Sequence, residues 1–124
     1  MKNTTALGQL GENIACDHLA AQGYAIIDRN VHMGNVEIDI LAQHDSQLIV
    51  VEVKTRRDDH LDPNFDIDRK KIMRLCRAAA TYVKIHDLPL EIRIDAILVT
   101  THADGSHTLS HLPDIALPPR LSRR

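Results

Sequence analysis

Val36-Glu37-Ile38-Asp39-Ile40-Leu41-Ala42 and, after the polar residues 43–47, Leu48-Ile49-Val50-Val51-Glu52-Val53-Lys54 are the two segments on which the fold turns. The first alternates apolar and acidic side chains and both are β-branched, which predicts two strands. If Asp45-Ser46 is a two-residue loop, or residues 44–47 a four-residue loop, Asp39 faces Glu52 and Glu37 faces Lys54. Side chains two apart share a face, so these four project one way and Ile38, Ile40, Val51 and Val53 the other. A three- or five-residue loop shifts the register and sends Asp39 and Glu52 to different faces.

On the N-terminal side, residues 24–31 predict a preceding strand, joined to residue 36 through a turn at His32-Met33-Gly34-Asn35. Before it, Thr4 or Thr5 caps a helix with Leu7, Leu10, Ile14 and Ala15 on one stripe, which ends near Gln22 with Gly23 as its left-handed stop. Gly8 and Gly11 each cost that helix about 1 kcal/mol relative to alanine, a sign that another backbone approaches there. On the C-terminal side, residues 55–66 are polar, contain Pro63 and predict a long loop. Asp66 or Asp68 then caps a second helix to about His86, with Ile72, Leu75, Ala79, Tyr82 and Val83 as its buried stripe. Residues 91–101 predict a fourth strand, with Ile92 and Ile94 on one face and Arg93 and Asp95 on the other, and residues 108–112 a short fifth. The order is αβββαββ, an α/β fold with a hairpin-rich sheet covered by two helices.

At 124 residues, with 44% hydrophobic and 26% charged side chains, the chain suits one core. Residues 1–116 are expected to form that single domain, and 117–124, with Arg120, Arg123 and Arg124, a basic disordered tail. No apolar run reaches the roughly 18–20 residues that span a bilayer, and the N-terminus lacks a secretory apolar stretch, so no membrane partner and a cytoplasmic location are expected. Cys16 and Cys76 are far apart and neither belongs to a CxxC pair, which disfavours a disulfide framework or a zinc knuckle. The formal charge of −2 excludes a globally basic nucleic-acid coat but not a local patch.

The opposed acids carry the chemistry. Like charges directly across a sheet destabilise it unless a cation sits between them, and carboxylate oxygens suit Mg²⁺ or Mn²⁺. Such an ion supports phosphodiester hydrolysis by polarising a phosphoryl oxygen and acidifying bound water, with Lys54 placed to assist. The alternative is an exposed sheet face on which Glu37 and Lys54 form a weak pair and Asp39 and Glu52 are merely solvated. On the second helix Arg69, Lys70, Lys71, Arg74 and Arg77 are five cations within nine residues, and Lys70, Arg74 and Arg77 recur on one face. That stripe, extended by Arg56 and Arg57, can neutralise phosphates without reading sequence, or it can be a solvated face beside Asp58, Asp59, Asp62, Asp66 and Asp68. With Tyr24, Phe65 and Tyr82 as the only aromatic side chains, base stacking is disfavoured and backbone contact expected.

Gly8-x-x-Gly11-Glu12-x-x-Ala15, Val36-Glu37-Ile38-Asp39, Val50-Val51-Glu52-Val53-Lys54-Thr55-Arg56-Arg57 and Arg93-Ile94-Asp95 occur in an order that resembles the YraN family of small bacterial proteins. The resemblance spans residues 5–116, and that family is similar to Holliday-junction resolvases and restriction endonucleases with the PD-(D/E)xK core. It implies a restriction-endonuclease-like αβββαβ core with a mixed central sheet flanked by helices. It also implies metal ligation by Asp39, Glu52 and the Val53 carbonyl, Lys54 as catalytic lysine, Glu12 as an auxiliary helix acid, and Lys71 at a basic position of the second helix. Where relatives carry glycine before the Glu-Ile-Asp run, this chain has Val36. The function implied is metal-dependent hydrolysis of nucleic acid, structured DNA more than RNA. The alternative is a non-catalytic nucleic-acid-binding protein of the same fold, and analogy with nucleases of this fold admits a homodimer.

Overall fold

Thr5 accepts a hydrogen bond from the Gly8 N–H (3.0 Å) and opens α1 (Ala6–Ala21); beyond Gln22, Gly23 takes a left-handed φ of +90° and turns the chain into the sheet. The computed structural model describes residues 5–60 and 68–116. The expected basic tail at 117–124 and the second half of the 55–66 loop lie outside them. The strands are β1 (Ala25–Met33), β2 (Val36–His44), β3 (Gln47–Arg57), β4 (Glu91–Thr101) and β5 (His107–Leu112), with α2 (Arg69–Ile85) between β3 and β4. Asp68 caps α2 by accepting the Lys70 N–H at 3.0 Å.

The sheet runs β1-β2-β3-β4-β5, antiparallel throughout except for the β3–β4 pair, which is parallel, so α2 carries the crossover and the sheet is mixed. This is the α/β architecture the sequence implied. α1 lays Ala15 and Leu19 on one face, against Ile40, Ala42, Ile49, Val51, Val53, Ile97 and Val99. α2 lays Leu75, Ala78, Ala79 and Tyr82 on the other, against Ile38, Leu41, Leu48, Val50 and Ile94. Because both faces of β3 and β4 are covered, their centres read as unbroken apolar runs.

Of the two costly glycines, Gly11 is the one at a close approach. A Cβ there would stand 1.8 Å from Thr55 Oγ1 and 2.8 Å from Thr55 Cβ, so α1 reaches β3 only because that atom is missing. Gly11→Ala, which would gain about 1 kcal/mol in an isolated helix, is expected instead to destabilise by about 1–3 kcal/mol, as overpacking does. Urea denaturation checks this; a rise in midpoint would contradict it.

The β2–β3 hairpin turns on Asp45-Ser46, with Asp45 at φ +54°, and pairs Ile40 with Val51, Leu41 with Val50 and His44 with Gln47. That is the register expected from a two-residue loop. The pairing stops at Ile40–Val51, however, so Asp39–Glu52 and Glu37–Lys54 are not the ladder partners that a continuous register would make them. Nor do Ile38 and Ile40 share a face: Ile38 packs with the α2 cluster, Ile40 with the α1 cluster. On the other side of β2, Arg29 pairs with Ile40 and Val31 with Ile38, and Asn30 between them, across from Asp39, adopts a left-handed φ of +52°. Asparagine is among the few residues that tolerate this conformation.

Candidate metal and nucleic-acid site

Where β2 leaves the β3 ladder, Asp39 takes over the pairing. Its Oδ2 accepts the Val53 backbone N–H at 2.9 Å, so the carboxylate is tied to the strand that carries Glu52 and Lys54. The acids are not on an exposed face: Asp39 is 0% exposed, Glu52 5%, Glu37 8% and Glu12 2%. That burial excludes the solvated-face alternative, because an isolated buried carboxylate is costly unless charge or hydrogen bonds compensate it.

Glu52 projects toward α2. Its Oε2 lies 2.6 Å from Lys71 Nζ and 3.9 Å from Lys54 Nζ, and these three side chains line a pocket of about 10 Å³, room for one water-sized body. Lys71 also lines a cleft of about 250 Å³ with Glu37 and Arg74. Beyond it, Arg74 and Arg77 border a third cleft of about 360 Å³ beside Met33, Gly34 and Val36 at the tip of the β1–β2 hairpin. Lys70, Arg74 and Arg77 lie along α2, all three exposed. Arg56 donates to Thr100 Oγ1 at 3.2 Å, and Arg57, 3.4 Å from Asp59, stands at the solvent end of β3.

The structure thus gathers Glu52, Lys54 and Lys71 into one mouth, with Asp39 fastened to the same strand. Glu12 comes from the other helix: its Oε1 is 3.9 Å from Arg29 Nη2, and Arg29 is the ladder partner of Ile40, next to Asp39. Among the described residues, no three His, Cys, Asp or Glu side chains converge as a ready-made metal cage. Glu52, which borders open volume, and Asp39, bonded to the same strand, still suit Mg²⁺ chemically, since that ion binds through one or two protein carboxylates and keeps several waters.

Sequence reasoning counted Lys71 among the helix cations expected to meet nucleic acid and missed its ion pair with Glu52, since spacing on a helix does not say which strand residue lies beneath. It also missed a polar network on the α1 side of the sheet. Fully buried Asp95 accepts two hydrogen bonds from Arg93 (2.9 and 2.8 Å) and one from the Asp114 N–H (2.9 Å), and lies 2.7 Å from His111 Nε2. Arg93 also donates to Tyr24 Oη at 2.7 Å and to Gln47 at 3.2 Å, and His18 Nε2 lies 3.4 Å from His111 Nδ1. Burial works against the Asp95 charge, but the hydrogen bonds from His111, Arg93 and the Asp114 N–H outweigh it and hold the carboxyl below its ordinary range. Burial, with the nearby His111 ring, pushes His18 down. The available signal was an Arg-x-Asp pair inside an otherwise apolar strand. Cys16 and Cys76 are free and half-buried, and burial raises both thiols.

Mixed-sheet α/β proteins with two strand-borne acids, a lysine and a cationic crossover helix are the class that this fold and mouth define. Residues 11–99 match the Uncharacterised protein family UPF0102, and the chain belongs to that family, also called YraN. A UPF0102 protein of Bacteroides thetaiotaomicron is 36% identical over 120 residues, covering 96% of this chain and 98% of the relative. One of Flavobacterium johnsoniae is 38% identical over 118 residues (92% and 96%), and one of Porphyromonas gingivalis 41% over 100 residues (80% and 74%). Among solved structures, Pyrococcus furiosus SfsA in complex with Ca²⁺ is similar at a TM-score of 0.40 and 18% identity, covering 86% of this chain and 62% of that one. Among the described residues no helix is long and apolar enough to cross a membrane.

Proposed function

We propose that this protein is a divalent-metal-dependent nuclease that hydrolyses phosphodiester bonds in structured DNA. The observation that carries the reading is the opening of the β2–β3 ladder at Asp39, whose buried carboxylate is bonded to the backbone of β3 next to Glu52, while buried Glu52 meets two ammonium groups in a mouth beside the cationic face of α2. Asp39 and Glu52 would hold Mg²⁺ or Mn²⁺, together with the Val53 carbonyl that the family resemblance adds. A bound ion of this kind polarises a phosphoryl oxygen and lowers the pKa of its water. The remaining work falls to the chain. Lys54 Nζ, reaching the mouth from the same strand as Glu52, orients the attacking water and stabilises negative charge developing on the phosphate oxygens. Asp39, through its bond to the Val53 N–H, fixes the spacing of the two strands, and Glu12 supports the same corner from α1. Lys70, Arg74 and Arg77, with Arg56 and Arg57, neutralise flanking phosphates and set the register of the duplex without specifying sequence.

Branched, nicked and linear DNA incubated with the protein and Mg²⁺ or Mn²⁺ tests the reading, branched DNA being the expected substrate. The double variant Lys70→Glu/Arg74→Glu is expected to weaken DNA binding and to lower the slope of log K against log salt by about 2, one unit for each phosphate no longer neutralised. Asp39→Ala should retain binding and lose cleavage. Binding without cleavage in the wild type, unchanged by Mg²⁺ or Mn²⁺, would favour the non-catalytic binding protein instead.

A further inference from the structure

Glu37 is the buried acid that the proposed reaction leaves unused. Its side chain is over nine-tenths buried, its Oε2 lies 3.5 Å from His32 Nε2, and its Oε1 has no hydrogen-bond partner among the described residues. It lines the 250 Å³ cleft together with Arg74 and Lys71. Lys71 belongs to two places at once. Its ammonium sits 2.6 Å from Glu52 Oε2, in the pocket that also holds Lys54, while its side chain forms a wall of the cleft that contains Glu37.

We propose that Lys71 is the resident counter-ion of Glu52 and that Glu37 is the carboxylate that receives it when a divalent cation takes Glu52. The inference rests on the metal-dependent reading above. A dication cannot reach Glu52 Oε2 while an ammonium stands 2.6 Å from that oxygen, and the pocket there has room for about one water-sized body, so Lys71 must leave. An ammonium moved away from a carboxylate inside a partly buried mouth needs another anion, because an uncompensated charge there is costly. A lysine carries its ammonium on a flexible four-carbon stem, long enough to swing between two carboxylates that border the space it already occupies. Glu37 offers an acceptor oxygen that no donor among the described residues engages. Lys71 and Glu37 are thereby positioning residues. They keep Glu52 neutralised before the metal arrives, and afterwards leave Lys71 beside Arg74, on the side where α2 meets phosphate.

Calorimetric titration of Mn²⁺ into the full chain and the variants Lys71→Met, Glu37→Gln and the double variant tests this, with circular dichroism as the check on folding. Removal of the competing ammonium is expected to tighten Mn²⁺ binding by about tenfold or more, as the loss of a like charge within a few ångströms does. Glu37→Gln should weaken Mn²⁺ binding several-fold in the wild-type background and leave it unchanged in the Lys71→Met background. Equal weakening in both backgrounds, or no tightening in Lys71→Met, overturns the exchange while leaving the metal site in place. No Mn²⁺ binding in any of the four proteins overturns the metal-dependent reading itself. Should Lys71→Met not fold, the side-chain ammonium resonances of ¹⁵N-lysine-labelled protein read the exchange directly. Mg²⁺ should shift the Lys71 signal in the wild type and, at matched site occupancy, shift it to a different position in Glu37→Gln, where the displaced ammonium no longer meets a carboxylate at residue 37; identical shifts in the two proteins overturn the proposal. A Lys71 signal unmoved by saturating Mg²⁺ in the wild type overturns the proposal.

Discussion

Asp95→Asn is expected to destabilise the fold by about 3–5 kcal/mol, the range seen when one partner of a buried ion pair is removed and the other charge is left behind. The amide keeps the shape of the carboxylate but loses its charge, and it adds donors where Arg93, His111 and the Asp114 N–H already donate. Arg93, which holds Tyr24 and Gln47 as well as Asp95, would then be a partly buried guanidinium facing a neutral group. The same network sets the acid response. As pH falls below the ordinary histidine value of about 6.5, the unfolded chain protonates His18 before the folded one does, so stability declines. The contribution of Asp95 is intact above the ordinary carboxylate value of about 3.9 and is lost as pH falls through its lower folded value. Urea midpoints between pH 7 and pH 3 should show two successive declines in the wild type, with the lower one absent in Asp95→Asn. A midpoint independent of pH would contradict this account of the network.

The second large effect is at Asp39. Asp39→Ala removes a carboxylate tied to the strand that carries Glu52, and metal affinity is expected to fall by more than the roughly 10–100-fold typical of losing a supporting residue outside the ligand shell. Cleavage of branched DNA should disappear with it. The structural cost should be modest. The Val53 N–H loses its acceptor, a penalty of about 1–3 kcal/mol, and part of that is offset because one buried negative charge near Glu52 is gone. A variant that folds, as judged by its urea midpoint, and still cleaves at the wild-type rate would remove Asp39 from the reaction.

Much of this was legible in the residues, and what was not has identifiable causes. Asp45-Ser46 fixed the hairpin register because a two-residue loop leaves little freedom, and the unbroken apolar centres of β3 and β4 announced strands covered on both faces. Thr5, Gly23 and Asp68 marked helix ends through local chemistry. The register failed where β2 leaves the β3 ladder beyond Ile40–Val51 and the Asp39 side chain, rather than its backbone, meets the Val53 N–H. No periodicity within residues 36–42 reports that. The site was similarly half legible. Glu52 and Lys54 follow from alternation within one strand, whereas the Lys71–Glu52 contact and the cleft that Glu37 shares with Lys71 and Arg74 depend on how α2 sits over the sheet. The Asp95 network escaped because its members, at positions 18, 24, 93, 95, 111 and 114, meet only after the sheet closes.

Titration of Mn²⁺ into the wild-type chain and Asp39→Ala, followed by calorimetry in the absence of DNA, addresses the two-carboxylate mouth before any substrate is chosen. A saturable heat in the wild type that vanishes in the folded variant is the expected result. Superimposable isotherms, or a wild-type chain that takes up no divalent ion at millimolar concentration, would contradict it.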